Sequence, residues 1–235
     1  YRVCARYNHT RRIADQQTLF APTPWSYPLV GMDPIGGFNG IFNFSPFVYT
    51  ANNFDKTLHY IMPYEFEYTD RVARIGFSRS VLVPFTVGET LLVRAEAAIL
   101  TNRYDDALTD INTWANNYYS FPGTSVTIDQ VNDFYNNVPY STSEAVTQKK
   151  KLNPSFSIGD QTRENMLHYV LQCRRIATIH QGLRWFDIKR YGMEVPRLQY
   201  VPGTTPLVVN QVDLLTSDDP RKALQLPKDV ISAGM

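Results

Sequence analysis

The sequence predicts a mainly α-helical protein built from helical hairpins, with long irregular loops and a few short strands. Three observations predict it. Between Val87 and Tyr118 apolar residues recur at helical spacing in two consecutive stripes. A third stripe, Met166, Val170, Cys173, Ala177 and His180, leads into "HQGLRWFDIKRYG", residues 180–192. Between residues 21 and 53, by contrast, prolines and glycines interrupt every candidate element.

In chain order, residues 1–19 carry a weak signal for a short helix or strand. Residues 20–56 are expected to form a long aromatic loop, because Pro22, Pro24, Pro28, Pro34 and Pro46 leave no room for a regular element. Thirteen aromatic residues fall between Phe20 and Tyr68. Disordered segments are poor in such residues, so the loop is expected to be ordered. "TLHYIMPYEFEYT" alternates apolar with polar and "VARIGFSRSVLVPF" is rich in β-branched residues, so each predicts a short strand.

Residues 87–119 predict an antiparallel helical hairpin. Leu91, Leu92, Ala95, Ala98 and Ile99 form its first stripe, and Tyr104, Ala107, Leu108, Ile111, Ala115 and Tyr118 its second. Thr101-Asn102-Arg103 makes the turn. Asp105 and Asp106 suit the positive end of the second helix's dipole. Such a pair is the unit of tetratricopeptide-like repeats. After Ser120, "FPGTS" and "NNVPY" predict irregular chain, and Lys149-Lys150-Lys151 a solvated loop. Helix resumes at Thr162 or Arg163, kinks at Gly182 and closes on Gly192, a C-terminal helical region of residues 162–192. The tail, with "YVPGTTP" and "SDDPRKALQLPKD", is rich in turn formers.

Length and composition bound the function. The 235 residues suffice for one large domain, residues 1–235. Lys and Arg number 23 against 22 Asp and Glu, a balance unlike that of a general nucleic-acid binder. Cys4 and Cys173 lie too far apart for a CxxC knuckle, and either a disulfide or two buried thiols stays open. No apolar run approaches the roughly 20 residues that span a bilayer. The chain opens on "YRVCARYNHT" and closes on "KDVISAGM", so a trimmed piece of a longer protein is expected.

Three stretches, in order, carry a resemblance: "VPFTVGETLLVRAEAAILTNRYDDALTDIN", "HQGLRWFDIKRYG" and "RKALQLPKDVISAGM". Together they resemble the SusD/RagB family of outer-membrane nutrient-binding lipoproteins, over residues 80–235. The resemblance implies a SusD-like fold of tetratricopeptide-like hairpins. It also implies a cell-surface lipoprotein, anchored by an N-terminal lipid outside this chain. Such a protein captures an oligosaccharide for a SusC-like TonB-dependent outer-membrane transporter. The sequence departs from the family at Ala177 and Gln181, where relatives favour acids, so an ion pair common in them is expected to be absent or replaced by a neutral hydrogen bond.

Residue types alone separate structural from functional candidates. Arg184, Asp187 and Arg190 are three apart in turn, so they meet on a helix. Trp185 adds apolar area and Gly182 close approach to a neighbour. No second carboxylate or histidine stands at useful spacing, so this stretch reads as a packing joint rather than a catalytic centre. Arg94 and Glu96 in "VRAEA" read likewise, one of them facing inward onto a charge from another element. His9, His59, His168 and His180 show no metal-binding spacing, and no cofactor motif is present. Asp218-Asp219 reads as a solvated turn, with calcium ligation as the alternative.

Ligand contact is expected instead from the aromatic loop, at Trp25, Tyr27, Phe38, Asn39, Phe42 and Asn43. Sugars present apolar C–H faces edged by hydroxyls, which flat rings and amides complement. Core packing is the competing account of the same residues. The leading reading is a non-enzymatic glycan-binding protein. A helical-repeat interaction scaffold is the second. A glycoside hydrolase is the third, and would need two carboxylates roughly 5–10 Å apart; Glu65 and Glu67 in "YEFEY" are the acid pair in aromatic company.

Overall fold

The computed structural model describes residues 18–20, 48–49, 57–59, 64–80, 85–118, 125–142, 147, 149–178, 182–201, 208–223 and 228–234. They are mainly helical, with short antiparallel strands. The chain divides into two compact units, one of residues 1–139 and 158–184, the other of residues 140–157 and 185–235.

The first unit opens with strands. β1 (Thr18–Phe20), β2 (Val48–Tyr49) and β3 (Thr57–His59) form an antiparallel sheet in the order β1-β3-β2. β4 (Tyr64–Asp70) and β5 (Ile75–Ser80) form a separate hairpin, with Phe66 opposite Ser78 and Tyr68 opposite Gly76. The Asp70 carboxylate shapes its turn by accepting from the Val72 and Ala73 N–H groups at 2.8 and 2.9 Å. The alternation of residues 57–69 thus splits into β3 and β4, with Pro63 just before the second.

The helical hairpin follows as α1 (Val87–Leu100) and α2 (Tyr104–Tyr118). Thr86 caps α1, its hydroxyl accepting from the Glu89 N–H at 3.0 Å. α1 ends in a Schellman motif: the Arg103 N–H donates to the Ala98 carbonyl and the Asn102 N–H to that of Ile99, with Asn102 at φ +61°. Asparagine tolerates that left-handed conformation better than most residues. Leu92, Ala95, Ile99, Ala107 and Ile111 are fully buried, so the small residues of the two stripes do bring the helices together.

α3 (Ile128–Asn137) lies where the sequence predicts irregular chain. A capping box starts it: the Thr127 hydroxyl accepts from the Gln130 N–H, while the Gln130 side chain accepts from the Thr127 N–H. Just before it, the Asn112 amide donates to the Val126 carbonyl at 3.1 Å and accepts from its N–H at 2.9 Å. Low-propensity Asn and Asp hid this helix, yet T-x-x-Q announced its start.

α4 (Gln161–Ala177) is the central helix of the unit and packs with α1, α2 and α3. Every residue from Asn165 to Cys173 is buried. Cys173 is a buried thiol. Asn165 is satisfied throughout, since its amide donates to Asn132 and Asn136 at 2.9 Å each and accepts from Gln161 at 3.0 Å. Near the start of the helix, Arg163 donates to Asn102 in the α1–α2 turn and to the Ile158 carbonyl. α4 does not run to Gly182. It stops at Ala177, where Thr178 turns both its N–H and its hydroxyl onto the Arg174 carbonyl.

In the second unit, α5 (Arg184–Arg190) ends in another Schellman motif, through Gly192 and Met193. Gly192 has φ +55°, and a Cβ there would lie 2.1 Å from the Asn153 carbonyl oxygen. The same Asn153 donates its N–H to the Tyr191 carbonyl at 2.8 Å. Lys149 is not solvated, contrary to the sequence reading. It is buried, with its ammonium 4.7 Å from the centre of the Tyr140 ring, because a ring face accepts a desolvated cation.

β6 (Val195–Val201) and β7 (Val208–Leu215) form an antiparallel ribbon on either side of the turn-rich "YVPGTTP", strands the sequence reading did not foresee. Pro196 sits within β6, a position a two-stranded ribbon tolerates because each strand keeps an open edge. A short 3₁₀ turn (Pro220–Lys222) and α6 (Lys228–Ser232) follow. Lys222 is buried, donating to the Met193 and Ser217 carbonyls at 3.0 and 2.9 Å.

Candidate functional site

The α1–α2 hairpin carries an open groove of about 300 Å³, lined by Arg94, Ala98, Arg103, Asp106, Thr109 and Asp110. Arg94 is largely exposed, and its fork grips the nearly buried Asp110 carboxylate through Nε at 2.7 Å and Nη2 at 2.5 Å. Those hydrogen bonds, then the charge of Asp110, raise the Arg94 pKa above its ordinary value. Arg103 pairs with Asp106 at 3.2 Å. Each carboxylate of the groove is thus engaged by an arginine.

Two residues along α1, Glu96 points the other way. It is buried and accepts from Arg174 of α4 at 2.5 Å. Arg94 and Glu96 therefore each bind a charge on another helix, one at the surface and one inside. On α4, Arg175 is pushed down to about 10, first by its burial and then by the Arg184 guanidinium. Ala177, at the end of the same helix, supplies no acid, and Gln181 lies outside the described residues.

Around residues 182–190, Gly182 has φ +78° and nothing within 4 Å of where its Cβ would stand. Its role is the left-handed turn into α5 and not close approach of a neighbour, which corrects the sequence reading. Arg184 donates to the Leu171 carbonyl at 3.3 Å. In the second unit, Asp187 is buried, Trp185 is partly buried, and Phe186 is exposed. Arg190 stands 5.6 Å from the centre of the Phe156 ring. His168 is buried against Tyr135, with ring centres 5.6 Å apart.

Asp218 and Asp219 both accept hydrogen bonds from their own turn, Asp218 from the Thr216 hydroxyl at 3.3 Å. The Asp219 carboxylate accepts from the Arg221 N–H at 2.8 Å, capping the 3₁₀ turn, and Arg221 bridges it to Asp213. Among the described residues no group of His, Cys, Asp and Glu has the makings of a metal site. Arg221 holds both Asp213 and Asp219 below their ordinary 3.8, through its side-chain hydrogen bonds first. Carboxylates depressed in the folded state stabilise it above their unfolded pKa, and that contribution fades as pH falls through the folded values. Arg221→Met is therefore expected to flatten the acid limb of a melting-temperature profile below about pH 4. An unchanged acid limb would show that the clamp contributes nothing.

Trp25, Tyr27, Phe38, Asn39, Phe42 and Asn43 lie outside the described residues, as do His9 and His180. The sequence predicts strands over the β4–β5 hairpin, and what it passed over there is the pair of exposed rings. Phe66 and Tyr68 are 45% and 49% exposed, packed edge to face with ring centres 4.9 Å apart. The signal was alternation itself, which puts Phe66 and Tyr68 on one side and Glu67 on the other.

A model of the SusD family matches residues 40–225, a span that includes the β4–β5 hairpin, the α1–α2 hairpin and the α4–α5 region. Comparison with curated proteins and with solved structures gives no match. Among the described residues no helix is long and apolar enough to cross a membrane.

Proposed function

Because this chain belongs to the SusD family, we propose that it is a non-enzymatic glycan-binding protein of an outer-membrane nutrient-uptake system. The family suggests a nutrient-binding role in general terms. The finer reading is that the protein sits lipid-anchored at the cell surface and delivers an oligosaccharide to a SusC-like TonB-dependent transporter. The family match across most of the chain is the observation that carries it. Support also comes from the α1–α2 groove, where paired arginines and carboxylates offer hydrogen-bond donors and acceptors to hydroxyls. Trp25, Tyr27, Phe38, Asn39, Phe42 and Asn43 supply further contacts in this reading, as flat rings and amides edge a sugar.

Calorimetry of the full-length protein against neutral linear glucan, xylan and mannan oligosaccharides tests the proposal. Weak, saturable binding of at least one glycan is expected, with Trp25→Ala and Tyr27→Ala weakening it. Chromatography of the same mixtures is expected to show unshortened sugars. Accumulation of shorter products would make the protein an enzyme and overturn the reading.

A further inference from the structure

We infer that the β4–β5 hairpin is itself a sugar-stacking surface for a neutral oligosaccharide, seated on Phe66 and walled by Tyr68. The inference rests on the glycan-binding reading and adds a location to it. Register supplies the first support. Phe66 stands opposite Ser78 and Tyr68 opposite Gly76, so the partner strand offers only small residues beside the two rings. A larger cross-strand neighbour would cover them.

Gly76 supplies the second. A Cβ there would meet the Glu67 carbonyl oxygen at 2.1 Å and the Phe66 ring at 2.7 Å. The ring therefore lies down over bare backbone, with its outer side open to solvent. Tyr68 meets it at 71°, so the pair forms a corner with a flat floor and an upright wall. A pyranose has that shape, with an apolar C–H face for the floor and hydroxyls for the rim.

Charge decides the class of ligand. Among the described side chains, alternation places Glu67 and Phe77 on the opposite side of the hairpin and leaves Phe66, Tyr68 and Gly76 as an uncharged face. The ligand that complements a neutral face with one flat ring is an uncharged sugar.

The test is calorimetry of the full-length protein with the same neutral glucan, xylan and mannan oligosaccharides, comparing wild type with Phe66→Leu, Phe66→Tyr and Tyr68→Ala. Phe66→Leu keeps apolar area but removes the flat face, so it is expected to weaken binding about ten-fold, the scale of an anchoring aromatic. Phe66→Tyr keeps the face and is expected to bind as wild type does. Tyr68→Ala is expected to weaken binding less than Phe66→Leu. Unchanged melting temperatures establish that the hairpin persists in each variant. If a glycan binds wild type and Phe66→Leu equally, the hairpin is no part of the site, and the glycan-binding reading stands without it. If Phe66→Leu and Phe66→Tyr are impaired alike, ring stacking is refuted. If wild type binds none of the sugars, the general reading fails and this inference fails with it.

Discussion

Glu96→Ala is expected to destabilise the protein by about 3–5 kcal/mol, the usual cost of removing one partner of a buried ion pair. Glu96 is buried on α1 and its side chain meets Arg174 of α4 at 2.5 Å, with the arginine side chain only 15% exposed. Without the carboxylate, that guanidinium is desolvated with one fewer acceptor. The double replacement Glu96→Leu with Arg174→Met removes both charges and keeps volume, so it is expected to recover most of the loss. Urea midpoints of the two variants and wild type decide the matter. A single variant as stable as wild type would mean that water reaches the pair. A double variant worse than the single would mean that Arg174 matters chiefly for its other contacts.

Gly192→Ala is the second large effect, expected to cost about 2–4 kcal/mol, from a left-handed conformation plus an overpacked contact. The new methyl would sit 2.1 Å from the Asn153 carbonyl oxygen, a backbone atom with no side-chain freedom to retreat. Moving it disturbs the Asn153 N–H bond to Tyr191. Gly182→Ala is the matched control, because φ there is also positive but the space is open. It should cost about 1 kcal/mol, the conformational part alone. Equal losses at both positions would show that the contact at Gly192 relaxes freely.

The helical hairpin was legible because its signals are local. Two apolar stripes, a Thr-Asn-Arg break and two acids in the second helix's first turn each act within a few residues. α3 was legible in principle, since T-x-x-Q at Thr127 and Gln130 is a start signal. The Asn- and Asp-rich text after it outweighed that sign. The β6–β7 ribbon was hidden by Pro196, Pro202 and Pro206, which argue against strands unless a strand has an open edge. Lys149 misled for a different reason: a run of three lysines looks solvated, and only the fold brings the Tyr140 ring over one of them.

Of the candidate site, the sequence marked Arg94 and Glu96 as charges to be answered from elsewhere, but not by which residues. Asp110 and Arg174 lie 16 and 78 residues away. Pairings at such separations leave no periodic trace. The β4–β5 corner was overlooked because attention fell on the acids of "YEFEY" instead of the rings between them.

The cross-helix bonds of Arg94, Glu96 and Arg163 have one more consequence, which concerns alignment. Stripes of alanine and leucine are smooth and nearly repeat every turn, so such helices have more than one way to nest. Sliding α1 by one turn, about 5.4 Å, preserves much of that apolar contact. It would bring Thr90 or Ala98 to Asp110 and Leu92 or Leu100 to Arg174, stranding a carboxylate and a guanidinium at once. Arg163, gripping Asn102 at the hairpin's tip, resists the same slide from the far end. The charges work as index marks on an otherwise unmarked scale, admitting one setting of the bundle and rejecting its neighbours.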